Sequence, residues 1–144
     1  MVRTLLLMLV SSHTNYNGLC MMIHVSYSGA LTARPGSGSY CSSKLTILRW
    51  TETLRPEFED KCLVTYCINP GAIKTKSTEA ASGKVRNRFS DRPEIADDTI
   101  AWLVAERREW LGGRYMSCPR DMEELMAKKE EIVTQDKLKM RLTF

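Results

Sequence analysis

Two short apolar runs constrain this chain more than any other feature. Residues 21–26 (Met-Met-Ile-His-Val-Ser) and residues 62–68 are each apolar and branched enough to be buried strands. Between them lie a small-residue turn, a loop containing Pro35, Gly36 and Gly38, and a helix starting at about Tyr40. Strand, loop, helix and strand in that order describe an α/β chain. The second strand empties into Asn69-Pro70-Gly71, a turn by composition.

The helix brings chemistry with it. Tyr40 and Lys44 are four residues apart, so their side chains share one helical face. A phenol titrates near ~10, too high to exchange protons readily at neutral pH. A cation about 6 Å away at an effective dielectric of about 20 favours the phenolate by roughly 3 kcal/mol, about two pKa units. The spacing therefore predicts a Tyr40 with a lowered pKa, suited to general acid–base work. Any helix carries Y-x-x-x-K by chance now and then; the flanking segments give it weight here.

A strand ending in serine, a loop, Y-x-x-x-K on a helix and a strand ending in N-P-G together resemble the short-chain dehydrogenase/reductase family. Val25-Ser26-Tyr27-Ser28-Gly29-Ala30-Leu31-Thr32-Ala33-Arg34-Pro35-Gly36 is most similar to its filamentous-fungal members, whose chemistry often belongs to secondary metabolism. The same holds for Glu106-Arg107-Arg108-Glu109-Trp110-Leu111 and the stretch from Gly113-Arg114-Tyr115 to Leu142. The resemblance runs from about Met21 to the C-terminus.

That resemblance implies a partial Rossmann-type, doubly wound parallel sheet and an NAD(P)-dependent oxidoreductase acting on a small-molecule carbonyl or alcohol. Tyr40 would exchange the proton; Lys44 would lower its pKa and hold the nicotinamide ribose. Pro70, Gly71, Ile73 and Thr75 match the segment that contacts the nicotinamide side, with Tyr40 and Lys44 completing the cofactor-binding set. The cofactor would be NADP or NAD. Residues 73–90 would form the substrate-covering loop, and the Tyr40 helix would help build a homo-oligomer or pair with a related subunit.

The family's third catalytic residue is a serine, commonly thirteen positions before the tyrosine. Counting back from Tyr40 reaches Tyr27. The serine three before glycine is Ser26, which the resemblance selects, with Ser28 as the alternative. Adjacent strand-end residues point to opposite faces, so one step of register decides which hydroxyl faces the site.

Family members are considerably longer than these 144 residues, and no G-x-x-x-G-x-G or G-x-G-x-x-G turn occurs. The expectation is one truncated domain: residues 1–20 a remnant helix and a polar loop, 21–118 the catalytic core, 119–144 a helical tail. Cofactor binding would then be weak or lost. The alternative is a non-catalytic half-domain that acts in protein association.

The remaining periodicity predicts a helix over residues 91–110, capped near Asp91, with Ala96, Ile100, Leu103 and Val104 inward and Arg107 and Arg108 in its last turn. Pro56 should end or kink the Tyr40 helix near Arg55. Residues 114–117 read as a last short strand and 122–133 as a charged helix.

The charge balance of +4 comes from cations interspersed with acids, a solvated face that argues against nucleic acid. Five cysteines form no C-x-x-C, which fits reduced thiols in the cytoplasm. His13 and His24 lack ligand-spaced partners, so no metal is expected, and His24 reads as a satisfied polar residue. The apolar run at residues 4–10 is too short to cross a bilayer.

Overall fold

The computed structural model describes residues 2–33, 35–79 and 86–142. Met1, Arg34 of the family-like phrase and residues 80–85 of the expected substrate loop, Lys84 among them, lie outside the described residues. Three parallel strands form one sheet in the order β1 (Met21–Val25), β2 (Val64–Asn69), β3 (Arg114–Ser117). Ile23 lies opposite Tyr66, and Tyr66 opposite Arg114.

β2 is central and buried at every position, which is why its sequence reads as a continuous apolar run. Its side chains divide between two faces. Val64, Tyr66 and Ile68 pack with Ala96, Leu103, Leu111 and Met116, beneath helix α4 (Pro93–Ala105). Cys67 packs with Leu48 and Ala30, and the Thr65 hydroxyl donates to the Thr51 carbonyl at 2.9 Å, so this face meets helix α2 (Gly38–Glu57). Helices therefore cover both faces, as a doubly wound α/β sheet requires.

α2 buries Leu48, Thr51 and Leu54 along one stripe. Pro56 stops it later than expected: the helix runs on to Glu57, and the Phe58 N–H bonds the Leu54 carbonyl at 3.1 Å. Proline in the last turn removes one hydrogen bond only, and termination follows one residue on. Helix α1 (Val2–Tyr16) also outruns its prediction, absorbing most of the polar stretch read as a loop. Thr14 donates to the Val10 carbonyl at 3.0 Å and Asn15 to Ser11 at 3.1 Å, satisfying the side chains within the helix. Leu6 anchors α1 on Leu54 and Leu63.

The helix expected over residues 91–110 ends at Ala105. Arg107 and Arg108 leave it for tertiary partners: Arg107 donates to the Leu19 and Cys62 carbonyls, and the Arg108 N–H donates to the Tyr66 hydroxyl at 3.0 Å. Thr99, not Val104, joins Ala96 and Leu103 in the buried stripe. A short helix α3 (Lys76–Glu79) interrupts the 73–90 segment, and the C-terminal helix is two pieces, α5 (Met122–Ala127) and α6 (Lys129–Thr134). His24 is half satisfied: its Nδ1 donates to Thr51 at 2.9 Å, while Nε2 is buried without a partner and burial lowers the ring's pKa. None of the described helices is long and apolar enough to cross a membrane.

The tail straps the outer edge of β3. The Tyr115 N–H donates to the Leu138 carbonyl at 2.8 Å, and Asp136 faces Arg114 at 3.2 Å and Lys139 at 2.6 Å. The Lys139 ammonium first, then Arg141, hold Asp136 down to about 2 from an ordinary 3.8. A carboxylate with a depressed folded pKa stabilises the fold above its unfolded value and loses that contribution as pH falls toward 2. Asp136 is about half exposed, so solvent screening keeps the effect below about 1 kcal/mol. Asp136→Asn should flatten the fall in melting temperature between neutral and acid pH, a difference that 0.5 M salt (roughly a 4 Å screening length) should shrink.

Candidate functional site

The site grows from the ends of two adjacent strands. Val25 lies opposite Ile68, so the segments after β1 and β2 leave the sheet at the same, C-terminal end. Open α/β sheets bind ligands there.

Ser26 prolongs the ladder by one bond, its N–H donating to the Ile68 carbonyl at 2.8 Å. Its side chain is buried and its hydroxyl donates to the Lys44 carbonyl at 2.8 Å, pinning α2 to the strand end. Lys44 answers from the helix: its Nζ donates to the Val25 carbonyl at 3.1 Å and lies 5.8 Å from the centre of the Tyr40 ring. Tyr40, one helical turn earlier, is exposed. The structure thus brings Ser26, Tyr40 and Lys44 together at the mouth of the sheet.

The electrostatics differ from the sequence expectation. Tyr40 has a raised pKa, not a lowered one: partial burial pushes it up, then the neighbouring Tyr27 phenol and the Cys41 thiol. The Lys44 ammonium is tied to Val25 and sits over the ring face, while a second phenol stands 5.8 Å away, centre to centre. At neutral pH Tyr40 is therefore in its protonated form.

The turn after β2 is clamped from outside. The Asp91 carboxylate accepts from the Ala72 N–H at 2.6 Å, the Asp91 N–H donates to the Ala72 carbonyl at 3.1 Å, and Ile73 bridges to Asp91. Asn69 steadies the start, accepting from the Gly71 N–H at 3.4 Å and donating to the Ser117 hydroxyl at 3.1 Å. Pro70, Gly71 and Ile73 are thereby fixed at the C-terminal end of the sheet. Thr75 is exposed and its backbone turns locally onto Thr78, with no contact to the Tyr40 group among the described residues. Asp91, expected as a helix cap, is instead the residue that shapes this turn. Its sequence spacing from Ala72 gave no sign of it.

Gly71 has φ +104, and a Cβ there would stand 2.7 Å from the Asp91 carboxylate and 3.0 Å from Pro119. Gly71→Ala should cost about 1–3 kcal/mol of stability, a loss readable in thermal melting.

A cavity of about 640 Å³ lies beside the turn after β1, walled by Ser28, Leu31, Leu48, Tyr115, Met116 and Met140. The Tyr115 hydroxyl is buried without a partner, and burial pushes it up to about 12.

The nicotinamide end of a dinucleotide suits these residues. Lys44 uses one ammonium hydrogen on Val25, and its others would be able to meet ribose hydroxyls. The Asp91 clamp holds the turn after β2 at the same end of the sheet as Lys44's contact with Val25. The β1 turn itself is Ser26-Tyr27-Ser28-Gly29, not a glycine-rich phosphate cradle.

No family model matches the chain. The curated protein Short chain dehydrogenase mpl6 of Monascus purpureus is 38% identical over 121 residues, which are 84% of this chain and 41% of that protein. Short chain dehydrogenase pigC of Monascus ruber is 37% identical over 126 residues, 85% of this chain and 42% of that one. The chain thus spans about two-fifths of the curated relatives it matches. Among solved structures, a 4-hydroxyisoleucine dehydrogenase mutant complexed with NADH and succinate superposes with a TM-score of 0.65 at 17% identity, covering 81% of this chain and 52% of that one. The ketoreductase LanV with bound NADP gives 0.59 at 20% identity, covering 68% and 41%. These structures share the fold.

Proposed function

This chain belongs to the short-chain dehydrogenase/reductase family, and from that membership we propose that its Tyr40–Lys44 pair serves NAD(P)-dependent hydride transfer between nicotinamide and a small-molecule carbonyl or alcohol. One observation carries the reading: Tyr40 and Lys44 converge where Val25 ends β1, with Lys44 bonded to the strand's last carbonyl. When bound, the cofactor, NADP or NAD, supplies or accepts the hydride. Tyr40, protonated at neutral pH, gives its proton to the carbonyl oxygen and takes it back in the alcohol direction. Lys44 would hold the ribose hydroxyls. Ser26 fixes the helix through the Lys44 carbonyl, and Pro70, Gly71 and Ile73, with Thr75 beyond them, would border the nicotinamide. Five unpaired cysteines suit a reducing, cytoplasmic setting.

Fluorescence titration with NADPH and with NADH tests the reading. Binding in the millimolar range is expected, weaker than for a domain with a glycine-rich phosphate turn. Lys44→Ala should weaken it about tenfold, the loss of one charged hydrogen-bonding group. Absence of any saturable binding overturns the proposal.

A second reading follows from the free edge of β1, which has no partner strand among the described residues. Val25 beside it and Leu5, Leu7 and Met8 on α1 are exposed. An uncovered parallel-sheet edge with apolar neighbours is a pairing surface. On this reading the chain is a non-catalytic half-domain that associates with a second copy or a related subunit. Sedimentation showing a well-folded monomer across the micromolar range counts against it.

A further inference from the structure

We infer that the Tyr27 phenol, not the Ser26 hydroxyl, is the second hydrogen-bond donor to the reacting oxygen beside Tyr40; this rests on the oxidoreductase reading above. Ser26 has already spent its single hydroxyl proton on the Lys44 carbonyl, 2.8 Å away, and is buried. Turning it toward a substrate would break a bond that seats α2. Tyr27, one residue on, has extended backbone (φ −153, ψ 135) and carries its ring off the strand axis toward the helix. The Tyr27 and Tyr40 ring centres are 5.8 Å apart and the rings tilt by 56°. Among the described residues neither phenol oxygen has a hydrogen-bond partner, so both protons are available.

The Tyr27 ring occupies the space that its neighbour Gly29 leaves open. A Cβ on Gly29 would stand 2.1 Å from Tyr27 Cε1, 2.6 Å from Cζ and 2.9 Å from the hydroxyl oxygen. The Cε1–Cζ edge of the ring thus lies against Gly29, and a methyl group there would push it aside. The turn below is held by the Ala30 N–H on the Tyr27 carbonyl at 3.1 Å and the Thr32 N–H on the Gly29 carbonyl at 3.2 Å.

A carbonyl oxygen has two lone pairs. In the reduction, hydride adds to the carbonyl carbon, the C=O π pair moves to oxygen, and Tyr40 transfers its proton there. Tyr27 donates a hydrogen bond to the same oxygen and keeps its proton. A phenol is more acidic than an aliphatic hydroxyl and so is the better donor to developing negative charge. The effect of Tyr27 on Tyr40 agrees with this placement, since Tyr27 is among the groups that raise Tyr40.

The test compares wild type, Tyr27→Phe and Gly29→Ala in reduction of ethyl acetoacetate at millimolar NADPH or NADH, with the Tyr40 ring-carbon resonance followed by NMR titration. Tyr27→Phe keeps the ring and should lose about 10²-fold in kcat, as removal of one oxyanion donor does. In that variant Tyr40 should also titrate at lower pH. Gly29→Ala displaces the ring and should show a similar loss while its circular dichroism spectrum stays native. If Tyr27→Phe matches wild type in turnover and in Tyr40 titration, the inference falls and the oxidoreductase reading stands. If wild type turns over no carbonyl with either nucleotide, the reading falls and this inference falls with it.

Discussion

Leu103→Ala should lower stability by about 3 kcal/mol, within the roughly 2–5 kcal/mol that such truncations cost in a closed core. Leu103 is fully buried, wedged between α4 and the Val64, Tyr66 and Ile68 face of the central strand. The methyl groups removed leave a void walled by a sheet and a helix, and neither moves inward easily. For a chain of this size each kcal/mol shifts the melting temperature by about 2–4 °C, so the loss should read as roughly 6–12 °C. Val104→Ala is the internal control. Val104 is 40% exposed, and alanine is the better helix former, so the change should stay within about 0.5 kcal/mol of wild type. Equal losses at both positions would contradict the register of α4.

That pair also shows what the sequence disclosed and what it withheld. The central strand is legible because burial on both faces leaves it an unbroken apolar run, and α2 because a Pro- and Gly-containing loop precedes it and Pro56 marks its end. The register of α4 was not, since Thr99 hides its hydroxyl on the Ile95 carbonyl at 2.8 Å and so enters the core as an apolar residue would. Nor was its end: Arg107 and Arg108 look like a charged last turn, but carbonyls at Leu19 and Cys62 and the Tyr66 hydroxyl, distant in sequence, compete for them. α1 ran long for the complementary reason, its hydroxyl and amide side chains finding partners one turn back.

The site divides along the same line. That Tyr40 and Lys44 share a face follows from four-residue spacing alone. The direction of the Tyr40 shift does not, because it depends on where a loop puts Tyr27 and Cys41, and on Lys44 being drawn to the Val25 carbonyl. The spacing to Gly29 marks Ser26, yet the partner of its hydroxyl is a backbone carbonyl on another element, which no local pattern encodes.

Tyr40→Phe should cut carbonyl reduction by about 10²–10⁴-fold, the usual contribution of a positioned acid, with kcat falling and nucleotide binding nearly unchanged. The phenol is exposed at the start of α2, and its oxygen has no partner among the described residues, so the variant should fold and melt like wild type. The pH dependence is the sharper test. Tyr40 titrates above the ordinary 10.0, so the acid form dominates throughout the neutral range. Reduction, which needs that proton, should stay level from pH 6 to 9 and decline only above the ordinary phenol range. Oxidation of an alcohol needs the phenolate and should rise with pH over the same interval. A reduction rate that fell between pH 7 and 9 would mean that the proton comes from a more acidic group. Assigning it to Tyr40 would then require Lys44 to leave the Val25 carbonyl and approach the phenol oxygen once nucleotide binds. Lys44→Met would separate the two cases: if Lys44 supplies the depression, the fall should move back above pH 9, and if another group is the donor it should not move.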